Sequence, residues 1–133
     1  MGNINILAVF CAAAAFFLFG MVWYGWLFNK AWFKSARMTE ADIREGHNMV
    51  LILALAFAFE LLIALMLGHQ FARTMPSPRA MMMISTGFGA TIMTPALGIN
   101  YLFQRKPGKL FAIDAAHLII GMTLMGLVFL AFR

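Results

Sequence analysis

Apolar residues in this chain come in four long blocks, not in alternation with polar ones. The first block, residues 6–28, has no charge. The second, 49–68, is broken only by Glu60. The third, 80–103, is again uncharged, and the fourth, 110–132, is broken by Asp114 and His117. A helix needs about 20 apolar residues to cross the hydrocarbon of a bilayer. The pattern predicts an all-α integral membrane protein: a four-helix bundle of two helical hairpins, forming a single transmembrane domain over residues 1–133. The blocks lack the period-2 alternation that a membrane barrel requires. The first block reads as a span rather than a cleaved leader. Residues 1–5 hold no Lys or Arg, and the apolar stretch is too long for a leader's core. Gly2 does not make a myristoylation signal, because Ile6 stands where Ser or Thr is needed.

The connections are short. Residues 29–47 are polar and mixed in charge. Within them Thr39-Glu40-Ala41-Asp42 fits a helix start, with Thr39 as cap and the acids at the positive helix end. The second helix is therefore expected to begin near Glu40. Residues 69–79 contain Pro76-Ser77-Pro78, which cannot continue a helix. Residues 104–109, Gln-Arg-Lys-Pro-Gly-Lys, read as a tight turn between antiparallel helices. Thr94-Pro95 is expected to kink the third span, since Pro95 supplies no backbone N–H.

Charge strengthens this picture. Of 133 residues, 63% are hydrophobic and 11% charged, against about 25% charged in a soluble domain. That leaves too little charge to cover a water-facing surface, in keeping with a mean hydropathy of +0.86. An ordinary soluble enzyme, a disordered tail and a nucleic-acid-binding domain are excluded. The net charge of +5 is concentrated between the apolar blocks. Lys30, Lys34, Arg37 and Arg44 join Arg105, Lys106 and Lys109 on one side, against Arg73, Arg79 and Arg133 on the other. The positive-inside rule places the first and third connections in the cytoplasm and both termini outside a cytoplasmic (inner) membrane. Cys11 is the single cysteine, so no intrachain disulfide can form.

Polar residues inside the blocks are the candidate chemistry. Asn100 precedes the third connection by about as many residues as Asp114 follows it, which puts the two at one depth on antiparallel neighbours. Tyr101 and His117 lie close by the same reasoning, and Tyr24 ends the first span on the same side, near Asn48. Asp114 and His117, three apart, share a helix face. Tyr24, Asn100, Tyr101, Asp114 and His117 thus form a candidate ligand- or proton-binding cluster, because ionisable residues within a membrane are functional candidates by default. A purely structural account also exists: interfacial anchoring by Trp and Tyr, a hydrogen bond across the hairpin, and Arg105 snorkelling to Asp114.

Glu60 is the remaining candidate. A charge at mid-span costs about 2.5–3.5 kcal/mol on insertion scales. Ala56, Glu60, Ala64 and Gly68 recur every four residues as a stripe of mostly small side chains, which allows close helix contact. Glu60 is therefore expected to face the protein interior or a subunit interface in its neutral form, either as a structural acid bonded to a hydroxyl such as Thr91 or Thr94 of the third span, or as a functional proton- or ligand-binding group. Gly87, Thr91, Thr94, Gly98 and Tyr101 make the matching stripe. The twelve methionines include Met81-Met82-Met83 near His69 and Met75. Thioethers suit Cu(I), but three consecutive side chains on a helix diverge, and methionine is a common apolar filler. No metal and no cofactor are expected.

Three segments resemble a known family. They are Trp23-Tyr24-Gly25-Trp26-Leu27-Phe28-Asn29-Lys30-Ala31-Trp32, Asn100-Tyr101-Leu102-Phe103-Gln104-Arg105-Lys106-Pro107, and the stretch from Leu110 through Asp114 to His117. Together they look like the bacterial and fungal membrane-protein family called domain of unknown function 1761. One departure is visible: Ala115-Ala116-His117 stands where the family often has Gly-Tyr-His after the aspartate. The resemblance implies a small four-helix inner-membrane protein and no particular activity. The residues themselves favour a homo-oligomeric transporter, channel or small-ligand-binding protein, with the lipid bilayer as partner and an unknown small ligand or ion. A non-catalytic membrane subunit or assembly factor is the alternative. A membrane enzyme on a lipid-soluble substrate is the weakest reading. No catalytic residue is assigned, because Ser35, Ser77 and Ser85 do not come to the depth of Asp114 and His117.

Overall fold

The computed structural model describes residues 3–39 and 48–133, all of it helix and turn with no strand among those residues. Four helices are long and apolar enough to cross a membrane: Ile6–Leu27, Met49–Thr74, Pro78–Phe103 and Gly108–Ala131. The first span consists of α1 (Ile6–Val22) and a wide π-helical turn, Trp23–Leu27. The short helix α2 (Asn29–Ala36) follows at its end. The second span is α3 (Met49–Thr74). The third is α4 (Pro78–Phe88), a second π-helical turn at Gly89–Met93, and α5 (Thr94–Phe103). The fourth is α6 (Gly108–Ala131).

Local chemistry sets the helix starts. Asn5 accepts from the Ala8 amide at 3.1 Å, Asn48 from Leu51 at 3.2 Å and Ser77 from Ala80 at 3.2 Å. Each supplies an acceptor to an otherwise orphaned N–H of a first turn. Pro78, whose missing N–H costs nothing at a first helical position, completes the Ser77 cap. Two boundaries of the second span are placed here. The start expected near Glu40 lies outside the described residues, and α3 itself begins at Met49 after an extended Asn48. At the other end α3 runs on past Gly68 to Thr74, because polar His69, Gln70 and Arg73 end the apolar run without ending the helix.

Beside Pro95, where the sequence predicts a kink, the third span carries a π turn. The turn Gly89–Met93 stands just before the proline, and the Thr94 hydroxyl donates to the Gly89 carbonyl at 2.7 Å. A side-chain donor thus serves a carbonyl where the regular ladder is disturbed.

The spans pack in the order α3, α1, α6, then α4 with α5, so that α1 and α6 are the inner pair. The stripe holding Glu60 therefore lies along α1, not along the third span. Lipid tails are as apolar as leucine, so helix association rests on close fit rather than on water expulsion. Small residues supply that fit. Ala8, Ala12 and Ala13 of α1 and Ala64 of α3 have no solvent exposure, and they meet Leu67, Met122 and Met125 in one cluster. At Gly121 a Cβ would stand 2.7 Å from the Phe16 ring, so only glycine lets α1 and α6 approach this closely. Ser85 and Gly126, with a Thr86–Thr123 hydroxyl pair at 2.8 Å, join α4 to α6.

Candidate functional site

Asp114 occupies the second turn of α6 and is 8% exposed. Burying a carboxyl in an apolar bundle is costly unless hydrogen bonds meet it. Two tyrosines do so. The Tyr24 hydroxyl donates to Oδ1 at 2.5 Å, and the Tyr101 hydroxyl donates to Oδ2. Each carboxyl oxygen thus receives one bond, and a carboxylate has room for about four. The tyrosines come from the ends of the first and third spans, so one carboxyl joins three of the four spans.

The π turn explains why Tyr24 reaches it. Closing the backbone at five residues, with the Phe28 amide on the Trp23 carbonyl at 2.8 Å, widens the helix and presents Trp23 and Tyr24 together to α6. The Trp23 indole N–H donates to the Ile113 carbonyl at 3.1 Å, one residue from Asp114. Phe28 packs on the Trp23 ring at 4.3 Å between centroids, and α2 brings Trp32 edge-on to Tyr24 at 5.9 Å. On the far side the Lys106 ammonium lies 4.9 Å above the Tyr101 ring, within cation–π range.

One turn deeper, His117 sits among rings. It stacks on Phe19 at 5.7 Å, meets Phe16 edge-on at 5.1 Å and lies 4.8 Å from Tyr24. Its Nε2 is buried without a hydrogen-bond partner. Gly20 makes the space: a Cβ there would stand 3.0 Å from Nε2.

Two cavities meet at this point. One, of about 430 Å³, is lined by Tyr24, Trp32, Leu97, Tyr101, Asp114 and His117 among others. The second, of about 420 Å³, lies between α1 and α3 and is lined by Phe17, Gly20, Ala56, Glu60, Tyr24 and His117 among others. Tyr24 and His117 border both, so they form a shared wall with a carboxyl on each side. Glu60 Oε2 is buried and, like His117 Nε2, has no hydrogen-bond partner.

The structure brings together Tyr24, Tyr101, Asp114 and His117 as the depth argument expects, and it places Glu60 in the adjoining cavity. Asn100 does not join them. It is exposed, because consecutive helical residues point about 100° apart and Tyr101 takes the face toward α6. Asn48 is spent on its cap, and His47 lies outside the described residues. Thr91 and Thr94 do not reach Glu60, since their hydroxyls donate to Gly87 and Gly89 of their own span. Asp114 is met by tyrosines and not by Arg105. Met81 is buried and Met83 is 64% exposed, which confirms that these neighbours diverge. Trp32 lines the first cavity and Trp23 bonds to the backbone beside Asp114, and neither stands among the site residues expected from the sequence. The signal available was their spacing around Tyr24 in the motif that ends the first span.

A family model described as "Protein of unknown function (DUF1761)" matches residues 7–130, and the chain belongs to that family. No curated protein and no solved structure matches it.

Proposed function

We propose that this member of the family is a small membrane-embedded binding protein of transport-like character. Its ligand is largely apolar and presents a hydrogen-bond-donating or cationic head to Asp114. The observation that carries the reading is one buried carboxyl, held by two tyrosine hydroxyls, at the wall of an apolar cavity of about 430 Å³. That volume lies within the range of small-molecule sites, which pair apolar walls with a few fixed polar groups. Asp114 retains acceptor capacity after both tyrosines have bonded to it. Tyr24 and Tyr101 orient the carboxyl, and the aromatic walls take the ligand's body.

The adjoining cavity gives the transport-like side of the proposal. Glu60 and Asp114 stand on opposite sides of the Tyr24–His117 wall, so a proton or a small cation has an acceptor in each compartment. The protein works as a homo-oligomer in the inner membrane, with the first and third connections in the cytoplasm, as the distribution of positive charge supports.

The test is reconstitution into liposomes loaded with a pH-sensitive dye, together with native mass spectrometry of the detergent-purified protein. The expected results are faster relaxation of an imposed pH step than in empty liposomes, and a bound small-molecule mass. Both should be lost in Asp114→Asn and kept in Ser77→Ala, a helix cap outside the cavities. Wild-type protein with neither flux nor bound mass would overturn the reading. A co-purifying membrane protein in place of a small molecule would favour a subunit role.

A further inference from the structure

The ends of α2 and α5 share an unusual feature. Each helix closes with a residue in the left-handed region, Arg37 at φ 56° and Arg105 at φ 55°. The hydrogen bonds are those of a Schellman motif in both cases. The Arg37 amide bonds to the Lys34 carbonyl and the Met38 amide to Phe33; the Arg105 amide bonds to Leu102 and the Lys106 amide to Tyr101. Glycine is the usual occupant of that position, because a side chain there costs about 1–2 kcal/mol. Met75 closes α3 in the same left-handed region at φ 45°, so what sets the ends of α2 and α5 apart is the guanidinium that each carries.

Both arginines line one small basin. Its volume is about 160 Å³, and its walls are Ser35, Ala36, Arg37, Gln104, Arg105 and Lys106, closed by Pro107 and Leu110. Three cations and two uncharged polar side chains converge there. The only acidic side chains among the described residues, Glu60 and Asp114, lie in the cavities of the candidate site, so neither neutralises the basin. The partial negative charge at the C-terminal ends of α2 and α5 favours cations there, and all three are exposed to an incoming anion.

We propose that this basin binds a phosphate group, and specifically the phosphate of an anionic lipid headgroup. Guanidinium forks match phosphate oxygens in pairs, the Ser35 and Gln104 side chains supply further donors, and Lys106 adds its charge from its place over Tyr101. The position favours a lipid over a free ion. The basin sits where the third and fourth spans meet their connection, beside Leu102 and Phe103, which are 79% and 86% exposed on the outer face of α5. A headgroup held in the basin has its acyl chains directed along that apolar face. Basic pockets between spanning helices are an established way of recognising anionic lipid heads. The inference does not depend on the ligand proposed for Asp114, since none of the basin's lining residues belongs to either cavity described above.

The experiment is thermal unfolding of the full chain in detergent, titrated separately with phosphatidylglycerol, with phosphatidylcholine of the same acyl chains, and with inorganic phosphate. Arg37→Gly with Arg105→Gly is the key variant. Glycine suits a left-handed position, so the fold is retained while both guanidinium groups are lost. Lys30→Ala with Lys109→Ala removes as much charge from the same side outside the basin. Phosphatidylglycerol is expected to stabilise the wild type more than phosphatidylcholine does. The arginine variant should bind it about fivefold more weakly for each arginine removed, and the lysine variant should keep its response. Equal weakening in both variants, or none in the arginine variant, would overturn the site. Stabilisation by inorganic phosphate as strong as by phosphatidylglycerol would show that the anion is free phosphate and overturn the lipid assignment.

Discussion

Tyr24 Oη and Asp114 Oδ1 lie 2.5 Å apart although 90 residues separate them in the chain. The contact ties the end of the first span to the start of the fourth. With Tyr101 on the other oxygen, it places the third span in the same node. The carboxyl is thus both a candidate binding group and a fastener of the bundle.

Removing either hydroxyl tests that double role. Tyr24→Phe and Tyr101→Phe should each lower stability in detergent by about 1–3 kcal/mol, the cost of leaving part of a buried acceptor unmet. The double variant should lose more than the sum, since the second loss strips the same carboxyl of its remaining donor. Strictly additive losses in a double-mutant cycle of thermal unfolding would show that the two bonds act independently.

Glu60 is best probed by contrast. Glu60→Gln keeps the shape of a protonated acid and should unfold at nearly the wild-type temperature. Glu60→Ala opens a void at the cavity wall and should cost about 1–3 kcal/mol. If Gln destabilises as much as Ala, the carboxyl is charged and paired in the membrane.

Two glycines should answer oppositely to the same substitution. Gly121→Ala forces a methyl group against the Phe16 ring and should destabilise by about 1–3 kcal/mol. Gly87→Ala meets nothing within 4 Å and lies inside α4, so it should be neutral or stabilise by up to about 1 kcal/mol. Melting temperatures of the two variants, measured side by side, decide whether the α1–α6 contact is as close as described.

Topology has a direct readout. A reporter that works only outside the cytoplasm should be active after Arg133 and silent after Lys109. The reverse pattern would invert the orientation inferred from the positive charges.

Much of this architecture is legible in the chain. The four apolar blocks mark the four spans because hydrocarbon tolerates little else. The meeting of Tyr101 with Asp114 comes from counting residues back from a tight turn. Three features are not legible. Asn100 groups with Tyr101 by depth, which arithmetic along a helix can read, whereas facing depends on which neighbour is present. The stripe of small residues around Glu60 specifies close contact but not with which helix, and the neighbour is α1 rather than the third span. The end of α3 lies beyond the end of its apolar run, because polarity marks the edge of the hydrocarbon and not the end of the helix.

The wide turn at Trp23–Leu27 has one more consequence. Each helical residue advances the direction of its side chain by about 100°, so a turn holding one residue too many, followed by the bend at Phe28, acts as a phase shifter between α1 and α2. Upstream, Phe16, Phe19 and Gly20 keep the register that encloses His117. Downstream, α2 is rotated so that Trp32 closes over Tyr24. Deleting a single residue such as Gly25 would restore an ordinary turn and leave every side chain intact, yet it would put the two halves out of step. The site is thus encoded as much by a count of residues as by their identity.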